Sequence, residues 1–290
     1  VLVGTSRVWD VLRKESLAKL KHGEGLYGEE EPGEDVAARN AFFQEESRKY
    51  PRIVFVLDEI VSSFQSSFSS LAACVGAKRD VVAAEGARIL DGDIFRAALS
   101  LSGEGSDAVA SCLAAGCIGE YLRGVPRRAS LMANRTLHSL SDVDTVQRAC
   151  CERLSRPGKE KLVALFDRNT DGEESLLAGI ERISAEVALA SQGLGEKHRV
   201  EVLSQVSREV SNCFFRRLGE KFTRNTASEM FSAVFELKKG NEEIYSGISQ
   251  TLSFILAGDF ESFPSHADIK RKYPSVDTEA LMSFLRNYEV

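Results

Sequence analysis

No run of about 18 apolar residues, the length a membrane-crossing helix needs, occurs in this 290-residue chain. The longest small-apolar stretch, Ala108 to Gly119, is too short and is interrupted by Ser111, Cys112 and Gly116. Basic blocks are missing too, and the net charge is −6. Without a cluster of Lys and Arg there is no electrostatic footprint for nucleic acid. Proline is scarce, with 6 residues that sit at the edges of apolar runs. That scarcity, beside an abundance of Ala, Leu, Glu and Ser, points to helix rather than sheet. The residues from Val1 onward do not have the build of a signal peptide. Hydrophobic residues at 43% and charged residues at 28% suffice for a packed globular core.

The chemistry-bearing patterns are equally thin. The six cysteines, Cys74, Cys112, Cys117, Cys150, Cys151 and Cys213, do not have the spacing of a disulfide framework. They are expected to be free thiols used as small core residues in a reducing cytoplasm. His22, His138, His198 and His266 are scattered, so no cysteine has a histidine at zinc-ligand spacing. No Ser-His-Asp order or nucleophile elbow can be read. Gly193-Leu194-Gly195-Glu196-Lys197 is not a phosphate loop, because no Gly-Lys-Ser/Thr follows. Asp167, Asn169, Asp171 and Gly172 fit the opening of a calcium loop, whose oxygen ligands alternate along a tight turn. The twelfth position, where a bidentate Glu belongs, is Ala178, so a helix-capping loop is expected instead. No catalytic residue, cofactor or metal site is therefore assigned.

Helical periodicity is plentiful. Leu176, Ile180, Ile183 and Val187 fall at i, i+4, i+7 and i+11; Leu203, Val206, Val210 and Phe214 fall at i, i+3, i+7 and i+11. Each is one apolar stripe on a helix. Gly193 and Gly195 are expected to stop the first helix and connect the two as a hairpin over Asp171–Leu218. Upstream, Val1 to Lys21 predicts an amphipathic helix, and His22 to Val36 a Gly/Glu-rich linker. Helix resumes over Ala37–Ser47. Pro51 then opens a buried helix through Ile53–Phe64, despite its β-branched residues. Helices are expected over 66–74, 78–90, 93–102, 107–122 and 141–153, with a loop from Val125-Pro126-Arg127-Arg128. Arg156-Pro157-Gly158 is the expected break and domain boundary. Further helices are expected over 241–257 and 278–287, the last with Asp277 as N-cap.

The segment 86–122 repeats in outline as 179–218, each a helix, a Gly-bearing loop and a second helix. The expected fold is all-α, an armadillo-like right-handed stack in which each unit buries its stripe on a neighbour. The expected divisions are 1–47 for N-terminal helices and acidic linker, 48–156 and 157–240 for two helical repeat domains, and 241–290 for a C-terminal extension.

The hairpin resembles the C-terminal core of the flagellar motor switch family (FliG). The matching residues are Asp171, Glu181, Ala188, Leu189, Ala190, Gly193, Glu196, Arg199, Leu203, Ser207 and Leu218. Leu140-Ser141-Asp142-Val143 is similar to that family's R-L-S-D-V-E signature, and Tyr50-Pro51-Arg52 sits where it often has E-H-P-Q. The resemblance implies a non-enzymatic rotor or assembly protein that meets flagellar rotor, stator or basal-body proteins, or itself, through charged helix faces. It implies a cytoplasmic location, peripheral to the basal body. Its charged positions fall here on Gln192, on Glu209 beside Arg208, on Arg216 and Arg217, and on Arg224. Several are neutralised or reversed in sign, which would turn attraction to an unaltered partner into repulsion. The alternative is an unrelated helical-repeat adaptor that binds a protein or peptide.

Overall fold

A computed structural model describes residues 2–22, 51–168, 176–218, 224–239, 242–258, 266–278 and 281. All regular structure among the described residues is helical. The chain divides into two compact units, Val1–Arg153 and Leu154–Val290. The expected linker after His22, the Ala37–Ser47 helix, Tyr50, most of the calcium-like loop and nearly all of the 278–287 helix lie outside the described residues.

In the first unit, α1 (Leu2–His22) places Trp9 in the core at 0% exposure. Its indole stacks on Phe64 with centroids 5.4 Å apart. Phe64 belongs to α2 (Arg52–Val75), which buries Ile53, Leu57, Ile60, Phe64 and Phe68 along one face. The run of β-branched residues is helical because Pro51 presets the entry (φ −64°) and burial of the stripe overrides strand propensity. Gly76, at φ +52°, ends the helix in a conformation that L side chains rarely adopt.

Next come α3 (Arg79–Ile89) and α4 (Arg96–Glu104). A break was expected between them; a wide π turn over Leu90–Phe95 joins them instead. That turn contains Asp91, a carboxylate only 8% exposed. It accepts the His138 N–H (2.8 Å), the Ser139 N–H (3.0 Å) and the Ser139 hydroxyl (2.6 Å). These groups open α6 (Leu140–Arg168), so Asp91 caps a helix remote from it in sequence. Asp107 caps α5 (Ala108–Arg128) by accepting from Val109 N (2.8 Å) and Ala110 N (3.2 Å).

The expected loop at Val125–Arg128 is helical. Pro126 removes one donor, but the Arg128 guanidinium ties down the last turn. It donates to the Tyr121 (3.1 Å) and Gly124 (3.4 Å) carbonyls and lies over the Tyr121 ring at 4.6 Å.

The expected break at Arg156-Pro157-Gly158 is likewise absent, because α6 runs through it. Pro157 points to solvent, and only its one backbone donor is lost. Gly158 is buried for a packing reason: a Cβ there would lie 2.5 Å from Val187 Cγ2. The glycine that reads as a breaker admits a neighbouring helix.

That neighbour belongs to the second unit: α7 (Leu176–Ala190), with Ile180, Ile183 and Val187 buried as the periodicity predicts. α8 (Glu196–Leu218) buries Val202, Val206, Val210 and Phe214, so its stripe begins one residue before Leu203, which is half-buried. The connection is closed by buried Ser191, whose hydroxyl donates to the Val187 carbonyl at 2.9 Å. Gly195 has an ordinary φ and open space around it, so the turn does not depend on its lack of a side chain. Phe166 of α6 meets Phe214 of α8 edge to face, 5.0 Å between centroids. α9 (Arg224–Lys238) packs on α10 (Glu242–Ala257), and α10 packs on α8. Phe254 of α10 meets Tyr273 just beyond α11 (His266–Lys272), 5.6 Å between centroids. The Leu281 N–H reaches the Asp277 carbonyl at 3.0 Å, the backbone bond an N-cap residue accepts.

Replacing Asp91 by Ala strands two backbone N–H groups at the head of α6. Urea denaturation is expected to show a loss of roughly 2–4 kcal/mol, from cap loss plus unpaired donors; a loss within experimental scatter would contradict the capping role. Gly158→Ala gains helix propensity yet forces a methyl onto Val187. The net expectation is destabilisation by about 1–2 kcal/mol, overpacking exceeding propensity, whereas Gly195→Ala should be close to neutral in the same assay.

Candidate protein-interaction surface

The residues singled out by the family pattern divide between the two units. Pro51 and Arg52 stand at the head of α2 in the first unit, Pro51 accepting the Val54 N–H at 2.9 Å and Arg52 exposed. Gln192, Arg208, Glu209, Arg216 and Arg217 are in the second unit, on α8 or the turn before it; Arg224 opens α9. Gln192 is exposed in the turn, with its N–H on the Leu189 carbonyl at 3.1 Å.

Several of these side chains are occupied internally. Arg217 Nη1 donates to the Phe166 carbonyl at 2.6 Å, in the last turn of α6. This places a fixed cation at the negative end of a helix dipole and satisfies a terminal carbonyl. Arg216 Nη2 reaches Glu209 Oε1 at 3.0 Å, two turns back along α8. With Arg216 56% exposed, that pair contributes roughly 0.2–1 kcal/mol. Glu209 also accepts from Asn212 Nδ2 at 3.4 Å and lies 3.9 Å from the Cys213 sulfur. Burial first, opposed by Arg216 and assisted by Glu209 and Asp167, pushes the Cys213 thiol up to about 11.

Arg208 differs. It is exposed and makes no ion pair among the described residues. It follows Ser204 by one turn and precedes Ser211 and Asn212 by another, so these four share one ridge of α8. The ridge faces Glu242, Glu243 and Ile244 in the first turn of α10, and the two walls enclose a groove of about 650 Å³. Glu242 is paired with Lys238 at 3.5 Å, while Glu243 has no ion pair among the described residues. The groove thus offers a guanidinium, hydroxyl and amide groups of either hydrogen-bonding sense, and carboxylates. The sequence pattern missed Glu242 and Glu243 because they lie on another helix. The signal that was available was their place in a first turn, where acids are favoured.

The remaining thiols behave as core residues. Cys112, Cys150, Cys151 and Cys213 are buried, and only Cys74 is exposed. Burial first, reinforced by Cys151 and Cys150, pushes the Cys112 thiol up to about 12; burial and Glu120 raise Cys117 to about 11. No group of three or more potential metal-ligating side chains occurs among the described residues. Residues 169–175 of the calcium-like loop lie outside them.

Arg217→Ala frees the Phe166 carbonyl and is expected to cost about 1.5–3 kcal/mol. Arg216→Ala should cost under about 1 kcal/mol, and equal losses by denaturant titration would refute the distinction. The raised thiols set a pH trend. Their neutral form is favoured in the fold, so this stability is fully present below the ordinary thiol value of 9.0 and is lost as pH rises towards 11–12. Melting temperature should fall over that window, and a Cys112→Ala, Cys117→Ala, Cys213→Ala variant should lose part of the fall. Set against protein-family models, curated proteins and solved structures, the chain matches none.

Proposed function

We propose that this chain is a non-enzymatic assembly protein that binds other proteins through the charged ridge of α8, in the manner of the flagellar motor switch family. The observation that carries this is Arg208: an exposed guanidinium without an ion pair among the described residues, in a groove whose other wall is acidic. Unpaired charge on a rigid helix sets the register and choice of a protein partner more than its affinity. An armadillo-like right-handed stack of helical repeats belongs to the same proposal, as does a place at the cytoplasmic side of the flagellar base. Among the described residues no helix is long and apolar enough to cross a membrane, which agrees with docking rather than insertion.

Arg217 and Arg216 weigh differently under this proposal than the family pattern suggests. Arg217 is engaged by a helix end and Arg216 by Glu209, so neither is the principal contact with a partner. The α8–α10 groove equally favours the adaptor alternative, in which a peptide from an unrelated partner lies along Arg208 and Glu243.

In the cell of origin, a fluorescently tagged chain is expected to form foci at flagellar bases, and its deletion to impair swimming. Arg208→Glu should disperse the foci while leaving the melting temperature within about a degree, as exposed-site changes do. Diffuse signal together with normal swimming would exclude the motor role; recovery of one non-flagellar partner by crosslinking, lost with Arg208→Glu, would establish the adaptor.

A further inference from the structure

We infer that Ser130 is a phosphorylation site for an arginine-directed serine kinase, and that its phosphate releases the short helical turn Ser130–Met132 from α2. The site stands independently of the partner-binding role proposed above. Its sequence is Arg127-Arg128-Ala129-Ser130, with cations two and three residues before a hydroxyl. A kinase that selects for arginine grips guanidinium groups with carboxylates, and their fixed spacing delivers the hydroxyl to the phosphoryl donor. The other adjacent arginine pair, Arg216-Arg217, is followed by Leu218, Gly219 and Glu220, which offer no hydroxyl.

Ser130 and Arg127 are both exposed, and Arg127 makes no ion pair among the described residues. Ala129 is already extended (φ −110°, ψ 112°), so only the last turn of α5 has to unwind for the arginines to be gripped. That turn is weakly held by its backbone. Pro126 lacks the N–H that would bond the Leu122 carbonyl, and the last backbone bond is Ala129 N–H to the Val125 carbonyl at 2.9 Å. In the transfer, Ser130 Oγ attacks the γ-phosphorus of ATP while the bond to the β,γ-bridging oxygen breaks. ADP leaves, and the hydroxyl proton passes to the catalytic carboxylate of the kinase.

The phosphate lands on a contact that pins the turn. Gln65 of α2 donates from Nε2 to Ser130 Oγ at 2.9 Å and accepts the Leu131 N–H at 3.0 Å. Leu131 and Met132 are seated in the core beside it, each 1% exposed. A phosphoryl group with a charge of about −1.5 to −2 does not fit in a 2.9 Å gap, so the Gln65 side chain has to move and the Leu131 N–H loses its acceptor.

The test incubates the full folded chain with ATP and an arginine-directed kinase (the catalytic subunit of the cyclic-AMP-dependent enzyme), and locates phosphate by peptide mass spectrometry. Labelling at Ser130 is expected. It should be absent from Ser130→Ala and slowed roughly tenfold or more in Arg127→Ala, the loss of one charge-assisted contact. A chain not labelled at Ser130 overturns the site; a peptide spanning 122–134 then tells whether the fold or the sequence is the reason. Phosphorylation should lower the melting temperature by a few degrees and speed hydrogen exchange at the Leu131 amide. In Gln65→Ala the turn is already unpinned, so the same phosphate should leave that variant's melting temperature unchanged. No change in the wild type, or an equal fall in both chains, overturns the release of the turn.

Discussion

The buried carboxylate of Asp91 holds the head of α6, whose first turns pack within the first unit's core. Three donors converge on that carboxylate, two of them backbone N–H groups that an isolated helix would leave unpaired. Downstream, the same helix serves two cores in turn. In the first unit it lies close against α5, where a Cβ on Gly119 would come within 3.0 Å of Val143 and one on Gly116 within 3.0 Å of the Gln147 amide. In the second unit it receives α7 at Gly158 and α8 at Phe166. A helix of 29 residues with this many dependants is sensitive to where it starts, and one side chain from a distant turn sets that point.

Arginine has a second, less visible use in this fold. Arg153 donates to the Gly103 and Gly105 carbonyls around the end of α4, and Arg217 to the Phe166 carbonyl near the end of α6. Arg128 instead folds back along its own helix, donating to the Tyr121 and Gly124 carbonyls one to two turns before the end of α5. Terminal carbonyls lack intrahelical donors, and a planar guanidinium with several N–H groups can serve two of them at once. Charges that look like surface features in the sequence are thereby part of the scaffold. The family pattern weights Arg216 and Arg217 alike, whereas the structure gives them different tasks.

Helical content and the apolar stripes were legible, because periodicity reports directly on which face meets a core. Ile180, Ile183 and Val187 are where the 3.6-residue repeat puts them, and the α8 stripe is displaced by one residue only at its start. The breaks were less legible. Pro126, Pro157 and Gly158 are local stop signals in a window of sequence, but each lies inside a helix. What overrides them is tertiary: Arg128 in one case, the approach of Val187 in another. Of the candidate surface, the α8 half could be read from spacing. The α10 half could not, since nothing local to Glu243 records that Arg208 stands across from it.

The π turn over Leu90–Phe95 has a consequence for how the first unit tolerates change in length. A π turn accommodates one residue more than the α-helical register on either side. Deleting a single residue there would let α3 and α4 fuse into one regular rod. Everything beyond it would then rotate by about 100° around the axis, the angle per residue of an α-helix. Ala98 and Leu99 would swing off the core, and Asp91 would leave the head of α6. The surrounding structure thus requires the extra residue of the turn, and this short segment has a fixed length although its neighbours are ordinary helix.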